Sequence, residues 1–213
     1  MKKKVKKQLK FGLIGRNIDY SFSRNYFSEK FEINHFTNCE YKNYDLKNIK
    51  EFPELIAESK SLLGLNVTIP YKEEIIPYLD KISKKAKKIG AVNCITISKT
   101  KKLKGYNTDY YGFKKTLQPL LKEHHKKALI LGTGGASKAV AYALQKLKIE
   151  YDFVSRTPDE FQLAYQDLNA EIFEEYHIII NTTPIGTHPK SEECPDLDYN
   201  LFTKKHIAYD LVY

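Results

Sequence analysis

A chain of 213 residues, 42% of them hydrophobic, is long enough to bury one large core or two small ones and too apolar to be disordered. Its formal charge of +9 comes from 35 basic residues, all lysine except Arg16, Arg24 and Arg156; dispersed lysine makes a solvated surface, whereas readers of phosphates and bases favour arginine's planar fork, so no nucleic-acid partner is expected. The longest apolar runs, ALILG and YHIIIN, are far short of a membrane span, and MKKKVKKQLK lacks the apolar stretch of a secretory signal, so the sequence reads as a cytoplasmic protein with no membrane contact.

From Phe11 onward, β-type runs alternate with helical patterns: KFGLIG, FSRNYFSEKF, INHFTNCEY, LKNIKEFPELIAES and LLGLNVTIP. Such alternation predicts βαβ units and a parallel sheet covered by helices. The next stretch, YKEEIIPYLDKISKKAKKIG, reads as helical in two pieces around Pro77, and AVNCITISKTKKLKGYN as a hairpin-like pair that closes the first unit. Tyr110, Phe113, Leu117, Leu120 and Leu121 then mark an amphipathic linking helix over 108–123, with Thr108 or Asp109 as its cap.

After the linker come a buried strand KKALILG, a helix ASKAVAYALQKL, and the strands EYDFVSR, YHIIINTTP and HIAYDLVY. The expected fold class is therefore α/β, with two α/β domains: residues 1–107, and a Rossmann-like dinucleotide-binding domain over 108–213. A doubly wound sheet normally covers its last strand with a helix, yet the chain stops at Tyr213 inside that strand, so it reads as a fragment.

The cysteines Cys39, Cys94 and Cys194 are far apart and odd in number, which suggests neither a disulfide framework nor a zinc cage. No metal is expected. His124 and His125 fall in a charged linker and read as solvated, and His35, His177, His188 and His206 lack metal-ligand spacing. The 16 tyrosines show no recurring basic–aromatic interleaving and read as packing residues.

LILGTGGASKAV sets Gly132, Gly134 and Gly135 between a strand and a helix, where tight turning and close backbone approach seat a pyrophosphate on exposed helix N-terminal amides. Ser137 occupies the last glycine position of the usual fingerprint. An NAD site wants a carboxylate at the end of the next strand, but that strand ends FVSRT. Ser155, Arg156 and Thr157 offer a cation and two hydroxyls, which suit a ribose 2′-phosphate and hence NADP, while Asp152 lies several residues too early.

YSFS after the first strand, NVTIPYKE, GAVN, GYNTD, GTGGAS, SRT and YDLVY occur in the order and approximate spacing of shikimate dehydrogenases, covering Phe11 to Tyr213, and the chain resembles that family. The resemblance implies that the first domain binds the substrate, a hydroxylated cyclohexene carboxylate, and the second NADP, with reaction in a cleft between them. It implies that Ser21 and Ser23 hold the substrate carboxylate, that Asn66, Thr68 and Asn93 contact ring hydroxyls, and that Lys72 and Asp109 form the catalytic pair. By the same matching, Gly132, Thr133, Gly134, Gly135 and Ala136 cradle the pyrophosphate. Ser155, Arg156 and Thr157 take the ribose phosphate, Thr182 and Leu211 lie along the cofactor, and Tyr213 approaches the substrate. Tyr20 stands where the family commonly has histidine and Arg24 where it has proline. The family's C-terminal helices, which supply a substrate-binding glutamine, are absent from this sequence. A monomer or homodimer acting on small molecules is expected.

The residues themselves leave alternatives open. Asp109 at a helix start fits a simple N-cap, Ser21 and Ser23 fit turn or cap positions as well as carboxylate capture, and Asn93 fits a backbone bend. Lys72 just beyond a strand's carboxyl end suits a proton donor to a developing alkoxide, though in so lysine-rich a chain a surface role is the ordinary one. A quinate/shikimate dehydrogenase that accepts NAD, a different two-domain NADP enzyme such as a methylenetetrahydrofolate dehydrogenase, a non-catalytic ligand-binding relative and a basic nucleic-acid-binding protein are the competing readings.

Overall fold

A computed structural model describes residues 7–212 and divides the chain into two compact units, the first running to Asn107 and the second beginning at Thr108. The first unit holds strands β1 (Leu9–Gly15), β2 (Cys39–Asp45), β3 (Leu62–Val67), β4 (Lys81–Ile82), β5 (Cys94–Ile97) and β6 (Leu103–Tyr106), with helices α1 (Phe22–Ile33), α2 (Phe52–Glu58) and α3 (Lys84–Ile89). Its sheet order is β2-β1-β3-β5-β6-β4. The pairs of β1 with β2 and with β3 are parallel, as the alternating pattern predicts, but β5 runs antiparallel to both β3 and β6, so the sheet is mixed. After β3 the chain visits the far edge of the sheet as β4, turns back through α3 and enters β5 antiparallel to β3, and a short turn at Ser98–Lys101 makes the hairpin with β6.

Caps set the helix starts here. The Ser21 hydroxyl accepts from the Ser23 amide at the start of α1, and the Ser83 hydroxyl from Ala86 at the start of α3, which ends on Gly90 at φ 77°. The predicted helix after Pro70 is a correction. One turn closes from Ile75 N–H to Tyr71 O, but the Lys72 carbonyl accepts instead from Val92, and the segment continues as a 3-10 turn over Ile76–Tyr78 and the short strand β4. Pro77, with no N–H to offer, prevents a longer ladder.

The second unit holds α4 (Asp109–Leu117), β7 (Lys127–Leu131), α5 (Gly135–Leu147), β8 (Glu150–Ser155), β9 (Gln162–Ala164), α6 (Ala170–Glu175), β10 (Ile178–Asn181) and β11 (Ile207–Asp210). All pairs of its sheet, in the order β11-β10-β7-β8-β9, are parallel. The linking helix is shorter than the predicted 108–123: α4 stops at Leu117, a 3-10 turn covers Gln118–Leu120, and Leu121 is extended, because Pro119 cannot continue the α ladder. β9 and α6, which the sequence pattern did not suggest, sit at the sheet's far edge and over it.

Each unit has its own apolar core. Ile14, Leu65, Val67, Ile95, Phe52 and Ile75 fill the first; Leu129, Leu131, Val154, Ile179 and Phe173 the second. The near-continuous burial of β7 and β10 is what a parallel strand covered on both faces requires. Among the described residues no helix is long and apolar enough to cross a membrane.

Candidate functional site

In the first unit the candidate residues gather where β1 and β3 end and β5 begins. Gly15 closes β1, and its backbone runs against Thr68 and Ile69: a Cβ there would stand 2.6 Å from Thr68 Cγ2 and 2.5 Å from Ile18 Cγ2. Only glycine admits that approach without displacement. The loop that follows is shaped by Asp45 at the end of β2, whose carboxylate accepts from the amides of Asn17 at 2.9 Å and Ile18 at 3.3 Å. That loop delivers Ser21 to the N-cap of α1. Ser21 and Ser23 are both half-buried, and the helix N-terminus they form is a ready acceptor of a carboxylate.

Asn66 is the penultimate residue of β3 and Thr68 follows its end; Thr68 N–H donates to Ile14 O at 2.9 Å. Lys72, half-buried, is tied into the same edge by its backbone, since its carbonyl accepts from Val92 at 2.7 Å. Asn93 is buried. Its amide donates to Tyr106 O at 3.0 Å and its carbonyl accepts from Val67 at 2.9 Å. Asn66, Thr68, Lys72 and Asn93 are thus brought to one edge of one sheet by backbone hydrogen bonds, independent of their side chains. Tyr71 anchors the turn from beneath: it is 1% exposed, its hydroxyl donates to Leu46 O at 2.6 Å, and burial pushes the phenol above its ordinary range.

In the second unit, Asp109 is the first residue of α4, not its cap, which is Thr108 with no side-chain cap bond. The N-cap reading of Asp109 is therefore corrected to a first-turn acid, favourably placed on the helix dipole. Gly132 closes the β7 turn at φ 101°, where a Cβ would lie 3.1 Å from Thr182 Oγ1 and from Thr183 Cγ2. Thr182 seals the same corner, with its hydroxyl donating to Leu131 O at 2.6 Å, and Leu211 N–H reaches Asn181 O at 3.1 Å. Gly134 caps α5 with no side-chain hydrogen bond, and a Cβ on it would meet open space. Thr133, Gly134, Gly135 and Ala136 leave the first amides of this 13-residue helix clear for an anion. The departure at Ser137 has a structural account: the buried hydroxyl folds back onto Gly134 O at 2.6 Å.

β8 ends at Ser155, whose hydroxyl accepts from Thr157 N–H at 3.2 Å, leaving Arg156 and Thr157 exposed at the strand's carboxyl end. Asp152 is mid-strand and accepts a short hydrogen bond from the Tyr176 hydroxyl, which burial and that bond raise well above the ordinary phenol range. No acid stands at the end of β8 where an NAD ribose would want one, and the mid-strand Asp152 is committed to Tyr176. These features fit an anionic, 2′-phosphorylated dinucleotide. Tyr213 lies outside the described residues.

The reading of His124 and His125 as solvated is corrected. His125 is only 5% exposed, and the ring centroids of His124 lie 4.2 Å from His125 and 5.2 Å from His177, with His177 5.2 Å from His206. The physical reason is topological: His125 stands two residues before β7, and His177 and His206 immediately before β10 and β11, three neighbouring parallel strands, so their starts share one sheet edge. Lys122 N–H donates to His125 Nδ1 at 2.8 Å, which puts the proton on Nε2, facing Lys205 O at 2.9 Å. Among the described residues no group of three or more His, Cys, Asp or Glu is arranged to hold a metal ion.

Tyr41, Asp45, Tyr71 and Asn181 hydrogen-bond the candidate residues or the loops that carry them, and the sequence reading missed them. Asp45 and Asn181 end their strands beside the candidate loops, and that position was the available signal. Tyr41 and Tyr71 carried none.

Residues 13–95 match the family model described as the shikimate dehydrogenase substrate binding domain. Among curated relatives, a shikimate dehydrogenase (NADP(+)) of Carboxydothermus hydrogenoformans is 36% identical over 95% of this chain and 77% of its own length, and that of Clostridium botulinum is 39% identical over 95% and 81%. Among solved structures, shikimate dehydrogenase from Aquifex aeolicus superposes with a TM-score of 0.83 at 33% identity, covering 97% of this chain and 79% of that one. The Thermus thermophilus shikimate 5-dehydrogenase, solved in complex with NADP(H) and shikimate, gives 0.81 at 30% identity over 97% and 79%. With relatives of this identity matched over nearly its whole length, the chain belongs to the shikimate dehydrogenase family.

Proposed function

We propose that this chain is an NADP-dependent oxidoreductase that reversibly reduces 3-dehydroshikimate to shikimate, on the route to chorismate and the aromatic amino acids, with Lys72 and Asp109 as its acid–base pair. The first unit takes the substrate and the second the cofactor. One observation carries the reading: the Lys72 carbonyl is hydrogen-bonded to Val92 and the Asn93 carbonyl to Val67, so a lysine, two amides and a threonine share the carboxyl edge of a sheet, where open α/β folds bind ligands.

Each group has a task set by its chemistry. Ser21 and Ser23, at the N-terminus of α1, receive the ring carboxylate. Asn66, Thr68 and Asn93 hydrogen-bond ring hydroxyls. NADPH, when bound, supplies hydride from its nicotinamide ring. The Lys72 ammonium donates to the ketone oxygen and yields its proton as that oxygen gains negative charge. Asp109 orients the ammonium and exchanges the proton.

Gly132, Thr133, Gly134, Gly135 and Ala136 hold the pyrophosphate on the open amides of α5. Ser155, Arg156 and Thr157 hold the 2′-phosphate, Thr182 and Leu211 lie along the cofactor, and Tyr213 faces the substrate. The protein works as a monomer or homodimer. Steady-state oxidation of shikimate with NADP tests the whole: formation of NADPH supports it, and its absence with soluble, folded protein at saturating shikimate and NADP sinks it. The same assay with quinate and NAD separates the broader quinate/shikimate reading.

A further inference from the structure

Tyr41 lies on β2 and Asn66 on β3, with β1 between them. On β1, Phe11 is the register partner of Tyr41 and Leu13 that of Asn66. Residues two apart on a strand point to the same face, so Tyr41 and Asn66 emerge on one side of the sheet, diagonal across β1. The tyrosine is long enough to span the intervening strand. Its hydroxyl donates to Asn66 Oδ1 at 2.8 Å.

This tyrosine is held rather than incidental. It is 5% exposed, and its ring stacks on Phe27 of α1 with centroids 4.6 Å apart and an interplanar angle of 15°. Leu13 and Ile18 complete the buried cluster around it, with Phe11 and Phe31 packed alongside. A hydroxyl so enclosed needs a partner, and its packed ring points it at Asn66 Oδ1.

We infer that Tyr41 is a positioning residue for the reaction proposed above: by donating to Asn66 Oδ1 it fixes which end of the Asn66 amide meets the substrate. The inference rests on the reading of Asn66 as a substrate contact. An asparagine amide carries two N–H donors and one carbonyl acceptor. Tyr41 engages the acceptor from the β2 side, and one N–H points to Asn93 O at 3.4 Å. The second N–H is left as a donor, so the site offers an N–H, not a carbonyl, to a ring hydroxyl. With the Tyr41 hydroxyl gone, the amide can rotate end for end, and the substrate must then impose the productive orientation at a cost to its own binding.

The test is a double-mutant cycle on the full chain. Shikimate affinity is measured by calorimetry, and steady-state KM values for shikimate and NADP are determined, for Tyr41→Phe, Asn66→Ala and the double variant. Tyr41→Phe should raise the Kd and KM for shikimate about three- to tenfold, the scale of one lost hydrogen bond, with the KM for NADP moved less than about twofold. In the Asn66→Ala background Tyr41→Phe should do nothing further. Measured well below the Tm of every variant, where the folded fraction is near one, neither KM nor Kd is shifted by a lowered Tm, and unfolding would raise the KM for NADP as well as that for shikimate. If Asn66→Ala weakens shikimate and Tyr41→Phe does not, or if Tyr41→Phe costs as much without Asn66 as with it, the positioning role is overturned while the substrate reading stands. If Asn66→Ala leaves shikimate binding unchanged, Asn66 is not a substrate contact and the inference falls with it.

Discussion

The carbonyl of Lys72 accepts a 2.7 Å hydrogen bond from the amide of Val92, which locks the lysine's turn against the residue preceding Asn93. Because that bond is made by backbone alone, the Lys72 side chain can be changed without releasing the turn. Lys72→Ala is therefore expected to lower kcat by about two to four orders of magnitude, the scale of a lost general acid, with the KM for shikimate changed far less. Steady-state kinetics on the variant check this. A large rise in KM at unchanged kcat would make Lys72 a binding group instead.

Arg156 stands just past the carboxyl end of β8 between Ser155 and Thr157, and Asp152 of that strand is occupied by Tyr176. Charge-assisted hydrogen bonds to a phosphate are the strong kind, so Arg156→Ala should raise the KM for NADP about 10- to 100-fold. The KM for NAD, which lacks the 2′-phosphate, should stay near its parent value. Equal losses for both cofactors would remove Arg156 from phosphate recognition.

Gly15→Ala is the backbone counterpart. The new methyl would stand 2.6 Å from Thr68 Cγ2 and 3.1 Å from Ile69 O, so the loop carrying Thr68 must move outward. Overpacking of this kind costs about 1–3 kcal/mol, read as a lowered Tm, and should raise the KM for shikimate while sparing that for NADP. An unchanged shikimate KM would show that Thr68 is not held to its position by this contact.

Much of this was legible from residue order. Strand-glycine-helix spacing located the turn at Gly132, and the β-type runs located β1, β3, β7, β8 and β10, most sharply β7 and β10, because parallel strands buried on both faces must be continuous apolar segments. The 71–78 segment was misread because its apolar periodicity fits a helix, whereas the Lys72 carbonyl is drawn off by Val92, a partner about 20 residues away along the chain, and Pro77 cannot continue the ladder. Tyr41 was illegible for a related reason: its role depends on which strands are neighbours. The histidine cluster is the extreme case, since no spacing along the chain relates His125, His177 and His206 until the strand order β11-β10-β7 is known.

That cluster makes stability depend on pH. Burial lowers the pKa of His125 and His177 below the ordinary imidazole value of 6.5, opposed at His125 by its bond to Lys205 O, and the neighbouring imidazoles with Lys122 and Lys205 add repulsion. Protonating His125 also forfeits the bond that its Nδ1 accepts from Lys122, and His177 Nδ1 is buried with no partner. A folded-state pKa below the unfolded one means that the unfolded chain binds more protons in the interval between them, so stability rises with pH there. The contribution is fully present above about 6.5 and is lost as pH falls through the lowered values. Melting curves from pH 7.5 to pH 5 should therefore show Tm falling on acidification. His177→Phe, which replaces an imidazole that must lose solvation with a ring that need not, should flatten the fall relative to the parent, whereas carboxylates titrating in the same range affect both proteins alike. Parallel Tm curves for the two would mean that the imidazole at 177 does not couple protonation to folding.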